Sequence, residues 1–364
     1  MNAIEKIGKI EAIALFITIC VNQIIFDIPN EIFMSTGTGA WLNTIYISLL
    51  ALVLAVIIYK LFKIFPNKDI VDISEYVGGK FLKIITATIF LIFFISICAF
   101  CIRYFTNSIR IIYYTSTPLT FLLILFLIPA VLSNKLGLKS ISGVNLILVP
   151  ILLISTAILF FANIREFNFS NLFPIFGYGV DDVFLSGASN IFCFTGLFYL
   201  FFLPPYLKEH KHFKTISISY VIFAGIYLLF TILSLLMSLA SISLTDEIFS
   251  IYLLSRLIEF GTFFQRIDAI FIFLWFLAVF SFVSFTFFIT LHIFKKSTHI
   301  KHSKEMVYCL ASIVFSYCLI FKNIANADYF ARNIYKIASL IIIAFSIALL
   351  VIANIKHKRN KKVS

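Results

Sequence analysis

The sequence has few charged residues: Asp, Glu, Lys and Arg make up 13% of its 364 residues, whereas 61% are hydrophobic. A water-soluble domain of this length cannot bury so many apolar side chains. The composition therefore excludes a soluble globular protein and indicates an integral membrane protein. Because the stretches between the apolar runs are too short for a soluble domain, we expect one membrane domain over residues 1–364.

Motifs of common catalytic and metal sites are also missing. The sequence contains no phosphate-binding P-loop, no H-E-x-x-H zinc motif and no G-x-S-x-G nucleophile elbow. Cys98 and Cys101 form a C-x-x-C, but both fall in one predicted helix and no second pair accompanies them. The six cysteines lie in apolar runs, which is typical of buried free thiols. We expect no enzymatic activity, no cofactor and no metal.

The apolar runs predict an all-α protein with about ten transmembrane helices, since about 20 apolar residues cross a bilayer. The first run has no signal-peptide cleavage site and is expected to remain as a helix. Spans one to five would form a first five-helix repeat over 10–163, spans six to ten a second over 183–355, and 356–364 a basic tail. The predicted spans are 10–34, 40–64, 81–112, 118–134, 140–163, 183–204, 213–242, 267–294, 304–322 and 334–355.

The positions of the basic residues indicate the orientation. With the N-terminus in the cytoplasm, 21 of the 29 Lys and Arg residues fall in cytoplasmic loops and the tail. This asymmetry predicts that both termini are cytoplasmic. The net charge of +12 then reflects orientation and attraction to anionic membrane lipid, and no nucleic-acid partner is expected.

The first span contains polar residues and a proline that a simple membrane anchor would not need. Asn22, Gln23 and Asp27 precede Pro29, which removes a backbone donor and disfavours helix at Ile28. One interpretation is a helix break that frees main-chain groups for a ligand, as in many secondary transporters. The other is a proline kink whose backbone groups are satisfied by neighbouring helices.

The sixth span has a corresponding feature at Thr195-Gly196, where glycine would allow the backbone angles of an unwound segment. A single glycine usually means close packing. The first span, however, has its break at the corresponding position of the other five-helix half. The two breaks together favour an inverted repeat of five plus five helices.

Two charged residues lie inside predicted spans. Because a charge in hydrocarbon is costly, each is expected to have a partner or a function there. Arg103 on the third span could neutralise Asp27 or extend to the outer interface. Asp268, at the start of the eighth span, could belong to an ion pathway or cap the helix N-terminus.

Several stretches together resemble the spore germination permease family. They are Phe65-Pro66-Asn67-Lys68-Asp69, Glu75-Tyr76-Val77-Gly78-Gly79-Lys80, the segment 171–179, Phe194-Thr195-Gly196 and the segment 259–275. This family comprises the membrane-spanning B subunits of germinant receptors, within the amino acid–polyamine–organocation transporter superfamily.

The resemblance implies a LeuT-like fold with broken helices 1 and 6, and a nutrient of the amino-acid class bound between them. It also implies a receptor A subunit and a lipoprotein C subunit as partners, in the spore inner membrane. Carried onto this sequence, the site would be lined by Asn22, Gln23, Phe26, Asp27, Phe194, Thr195, Gly196, Leu197 and Phe198.

The sequence departs from that superfamily at two positions of the expected site. Asn22-Gln23 replaces the glycine often present in the first break, and Leu197 replaces an acid that often follows the sixth-helix glycine. Three functions remain open: a nutrient-sensing receptor subunit, an amino-acid transporter, and a structural subunit that holds its partners. The fifth span has no Lys, Asp or Glu between 142 and 161, which favours the receptor over a proton-coupled transporter.

Overall fold

The computed structural model describes residues 5–25, 28–239, 250–258, 268–298, 305–320 and 334–363. This part of the chain is built from helices and the loops between them. The α-helices are α1 (Lys9–Ile25), α2 (Ile28–Thr36), α3 (Ala40–Phe62), α4 (Ile70–Ile112), α5 (Leu119–Leu136), α6 (Leu138–Ala162), α7 (Val180–Phe184), α8 (Gly196–Leu200), α9 (His212–Ser238), α10 (Ser250–Arg256), α11 (Asp268–Thr298), α12 (Met306–Ile320) and α13 (Lys336–Val363).

Seven stretches among the described residues are helical, apolar and long enough to cross a bilayer. They are Ile28–Phe62, Ile70–Ile112, Leu119–Leu136, Leu138–Glu166, His212–Ser238, Asp268–Thr298 and Lys336–Lys361. The shorter α1 and α12 and the interrupted sixth span match the three remaining predicted crossings. The protein is therefore a multi-pass membrane protein whose helices follow the predicted order.

The bundle surface is apolar, as a bilayer requires. On α6, Ile147, Ile154 and Phe161 are 70%, 60% and 71% exposed, and their spacing of seven places them on one face. Asn145 and Leu152, on the opposite face, are buried against the bundle. Such a face would be costly in water and is stable in lipid.

The first span is interrupted between Ile25, where α1 ends, and Ile28, where α2 begins. Pro29 lies in the first turn of α2, where its missing N–H is not needed. Asn22 and Gln23 are helical and belong to the last turns of α1, although the sequence placed them in the break itself. Phe26 and Asp27 lie outside the described residues, so their predicted site roles stay predictions.

The sixth span is interrupted at Phe194, whose backbone angles are φ −87° and ψ 59°. Before it runs a 3-10 helix, Ser186–Cys193, and after it the five-residue α8. A second 3-10 turn, Pro204–Tyr206, follows α8. Gly196 begins α8, so the break lies immediately before the predicted position.

The third span begins with a sharp bend. Asp69 caps α4 by accepting hydrogen bonds from the backbone N–H groups of Val71 and Asp72, both at 3.0 Å. Gly78 and Gly79 are non-helical inside α4, and Gly79 has φ +68°, which glycine adopts without strain. The residues before the bend form a short helix outside the predicted span.

At the other end of the chain, α13 continues through the basic residues to Val363. Lys356 in this extension donates to the backbone oxygen of Tyr76 at 2.9 Å. The end of the bundle that carries residues 5–8, 63–69, 204–211, 295–298 and 356–363 is called the basic end below.

Candidate functional site at the helix breaks

The two helix breaks are in direct contact through polar side chains. Gln23, in the last turns of α1, donates a hydrogen bond from Nε2 to Oγ1 of Thr195 at the sixth-span break. Both side chains are buried, with 7% and 4% exposure. Since a buried amide and hydroxyl need partners, this bond stabilises the contact between the two discontinuous helices.

Asn22 ties the first break to α11 on the other side. Its Nδ2 donates to the backbone oxygens of Thr18 at 2.8 Å and Ala278 at 2.9 Å. Its Oδ1 is fully buried and accepts no hydrogen bond from any described residue. A buried acceptor without a donor costs free energy, which a ligand with an N–H group would recover.

Gly196 lies against the ring of Tyr220 from α9. Its N–H donates to the Tyr220 hydroxyl at 2.8 Å, and a Cβ at this position would stand 2.3 Å from Cζ of that ring. Glycine is required here because of this close approach and not, as the sequence suggested, because the backbone adopts unusual angles. Tyr220 in turn packs edge-on against Phe16 of α1, with ring centroids 5.2 Å apart.

An aromatic wall continues from the sixth-span break. The ring centroid of Phe198 lies 4.6 Å from that of Phe93 on α4, and Phe93 stacks on Tyr335 at 5.6 Å. Phe192 also packs edge-on against Tyr335, with ring centroids 5.9 Å apart. Phe194 and Leu197 are also buried, with 1% and 0% exposure.

Tyr335, at the start of α13, was not predicted as a site residue. Its hydroxyl interacts with Thr195 and its ring with Phe93 and Phe192. No local pattern marks this tyrosine, because its role depends on contacts with residues at least 140 positions away.

A second polar network is centred on Asn190, which lies in the 3-10 helix Ser186–Cys193 about one turn before the sixth-span break. The Nδ2 group of Asn190 donates to Oγ of Ser35 at 2.9 Å and to Oδ1 of Asn43 at 3.0 Å. Lys336 donates to Oδ1 of Asn190 at 3.1 Å and lies 5.7 Å from the ring centroid of Phe192. An ammonium group is therefore close to the aromatic wall.

Arg103 and Asp268 occupy different surroundings. Arg103 is only 5% exposed, so it is enclosed by the bundle, and its predicted partner Asp27 is outside the described residues. Asp268 begins α11 and accepts hydrogen bonds from the hydroxyls of Tyr113 at 2.7 Å and Tyr252 at 3.3 Å. Their predicted roles in charge pairing or ion passage stay predictions.

A protein-family model described as a spore germination protein matches residues 6–327. The chain belongs to this spore germination permease family. The resemblance seen in the sequence is thereby confirmed.

Relatives of this chain match it over much of their length. Spore germination protein YndE of Bacillus subtilis (strain 168) is 22% identical over 365 residues, which cover 98% of this chain and 99% of YndE. Spore germination protein GerQB of Bacillus cereus is 25% identical over 257 residues, 69% of each chain.

Solved transporter structures share the fold of this permease. A Na+-coupled sialic acid symporter in a substrate-bound outward-open state superposes with a TM-score of 0.67 at 13% identity, over 97% of this chain and 80% of the symporter. Mhp1, a nucleobase-cation-symport-1 family transporter, closed with bromovinylhydantoin bound, also gives 0.67 at 13% identity, over 94% and 78%. The predicted LeuT-like fold with broken helices 1 and 6 is confirmed.

Proposed function

We propose that this permease is the membrane-embedded B subunit of a spore germinant receptor, and that it binds a small nutrient, an amino acid, between the two helix breaks. The proposal is carried by two observations at the end of α1: the unpartnered, buried Oδ1 of Asn22, and the hydrogen bond from the next residue, Gln23, to Thr195. The family membership supports the germination role.

The chemistry of the site suits an amino acid. An ammonium group donates to Oδ1 of Asn22, and a carboxylate accepts from Nε2 of Gln23 once the bond to Thr195 opens. The wall of Phe93, Phe198 and Tyr335 offers an apolar surface to the side chain. A ligand that replaces the bond between the breaks favours a different arrangement of α1 and α8, and this population shift is the proposed trigger.

The same proposal covers location and partners. Positive-inside orientation would put the basic end and both termini in the cytoplasm, with the protein in the spore inner membrane. A receptor A subunit and a lipoprotein C subunit would complete the assembly. The proposed role is sensing without catalysis.

Release of dipicolinate from spores tests the proposal. Spores carry the native protein, Thr195→Val or the matched control Thr231→Val at equal abundance, and are given single amino acids. Thr231 is a buried threonine on α9 whose hydroxyl donates within its own helix, to the Tyr227 oxygen at 2.8 Å. Because Thr195→Val removes the bond that the ligand must replace, we expect this variant to respond to one amino acid at an about 10-fold lower concentration, and Thr231→Val to keep the native sensitivity.

Two results would contradict the nutrient site. If Thr195→Val and Thr231→Val respond like the native protein to every amino acid, the breaks do not sense the nutrient. If both lose the response equally, the effect is not specific to the break, and a structural subunit becomes the better account.

A second function, amino-acid transport, is favoured by the shared fold of the two symporters. Uptake of the same radiolabelled amino acid into vesicles containing the purified permease separates the two. Accumulation above that in protein-free vesicles would show transport, whereas binding without accumulation supports a sensor.

A further inference from the structure

A cluster of charged side chains at the basic end has no part in the proposed nutrient site. It joins Asp69, which precedes α4, to His292 and Lys296 on α11 and to Tyr206 after α8. Oδ2 of Asp69 lies 2.6 Å from Nε2 of His292 and accepts from Nζ of Lys296 at 2.5 Å. The Tyr206 hydroxyl is hydrogen-bonded to Nδ1 of the same imidazole. Lys296 also donates to Asp72.

Because the Asp69 carboxylate is buried, it is costly to separate from its partners. The Asp69 side chain is fully buried, while those of His292 and Lys296 are 16% and 22% exposed. Burial alone would raise the pKa of Asp69, but the hydrogen bonds with His292 and Lys296 and the positive charge of Lys296 hold it well below its usual range. The carboxylate is therefore ionised, and separating it from its partners would leave a buried charge unpaired.

The cluster connects the ends of the third, sixth and eighth spans, and backbone hydrogen bonds beside it add the first. Beside it, the N–H of Ile70 at the start of α4 donates to the Phe201 oxygen, just after α8, at 3.1 Å. Ile7, two residues before α1, also bonds to the sixth span: its N–H donates to the Tyr206 oxygen at 2.8 Å, and its carbonyl oxygen accepts from the Lys208 N–H at 3.0 Å. The first, third, sixth and eighth spans are thus fastened together at this end.

We propose that Asp69, Tyr206, His292 and Lys296 form a latch that holds the basic end closed and must open before the sixth span can move relative to α4 and α11. The sixth-span break and the latch are connected by α8, which has only five residues. A short helix carries any displacement at the Phe194 break to Phe201 and Tyr206. The proposal holds for a sensor and for a transporter, and it does not depend on the nutrient site.

Thiol accessibility in the purified protein tests the latch. The reporter is Thr290→Cys on α11, which is 2% exposed and one turn from Thr286, itself bonded to Tyr199 of α8 at 2.7 Å. The exposed Cys309 is replaced by serine, and the other cysteines are buried. Reaction with a charged methanethiosulfonate, followed by mass spectrometry, gives the rate of modification.

Asp69→Asn is the decisive variant. Asparagine keeps the Oδ1 acceptor that caps α4, but its amide cannot accept at the Oδ2 position from His292 or Lys296. We expect modification of the reporter about 10-fold faster or more, as the loss of a charge-assisted hydrogen bond implies. Tyr206→Phe, which removes only the hydroxyl, should give a smaller increase of about 3-fold.

Tyr308→Phe is the matched control. It removes a hydroxyl that is bonded to Lys135 but lies outside the latch, and it should leave the rate unchanged. If Asp69→Asn elutes as a folded protein with an unchanged rate, the cluster is a static brace and the latch is refuted. Should Asp69→Asn fail to fold, Tyr206→Phe decides: a faster rate supports the latch and an unchanged rate overturns it.

Discussion

Replacing Gly196 by alanine is the substitution for which the structure gives the clearest expectation. The added Cβ would stand 2.3 Å from Cζ, 2.6 Å from Cε2 and 2.7 Å from the hydroxyl of Tyr220. The Tyr220 ring cannot easily move aside, because it is 1% exposed and packed on Phe16. Either α8 or the ring must shift, although alanine is the best helix former.

The magnitude follows from two terms. Overpacking a filled interior costs about 1–3 kcal/mol. Displacing the ring also breaks the 2.8 Å bond from the Gly196 N–H to the Tyr220 hydroxyl, and a buried N–H without a partner costs about 1–3 kcal/mol. We therefore expect Gly196→Ala to lose about 2–6 kcal/mol in the free energy of unfolding.

Thermal unfolding of the detergent-purified protein, followed by tyrosine and tryptophan fluorescence, measures the effect. Gly143→Ala is the matched control, since a Cβ at this α6 position meets no atom within 4 Å. Its midpoint should stay equal or rise, while that of Gly196→Ala falls by several degrees.

A double mutant identifies the cause. In a Tyr220→Leu background the clashing ring atoms are gone, so Gly196→Ala should cost little more. Equal midpoints for Gly196→Ala and Gly143→Ala, or an undiminished loss in the Tyr220→Leu background, would refute the packing argument.

Two further predictions concern stability. Gly177→Ala should lose about 2 kcal/mol or more in thermal unfolding, because Gly177 has φ +56° and a Cβ would lie 1.9 Å from the Thr36 oxygen; Gly179→Ala, where the nearest contact is 3.4 Å, is the control. Asp69 has a lowered pKa, so its stabilising effect is fully present above the unfolded-state value of about 3.9 and is lost only as the pH falls further. The midpoint difference between the native protein and Asp69→Asn should therefore be full at pH 5 and shrink below about pH 4; shrinkage already above pH 5 would contradict the lowered pKa.

Hydropathy was enough to place most membrane spans, because bilayer thickness sets the length of each apolar run. Pro29 marked the first break to within a few residues, since proline constrains its own backbone and that of its neighbour. These features depend on local chemistry, which a sequence displays directly.

Features that depend on distant partners were missed or misread. The sequence predicts unusual backbone angles at Gly196, whereas a glycine is required there because of the Tyr220 ring, 24 positions later. The function of Tyr335 in the aromatic wall, and the bonding of Asp69 to His292, arise only when α13 and α11 pack against the rest of the bundle. The sequence around Tyr335 and around Asp69 contains no motif from which their partners could be predicted.

The 3-10 helix Ser186–Cys193 makes this part of the sixth span longer than an α-helix of the same eight residues would be. A 3-10 helix rises about 2.0 Å per residue and an α-helix about 1.5 Å. If these eight residues rewound as α-helix, the segment would shorten by about 4 Å and turn its side chains around the axis. Rewinding of this segment would thus change the length of the sixth span while the neighbouring helices stay in place.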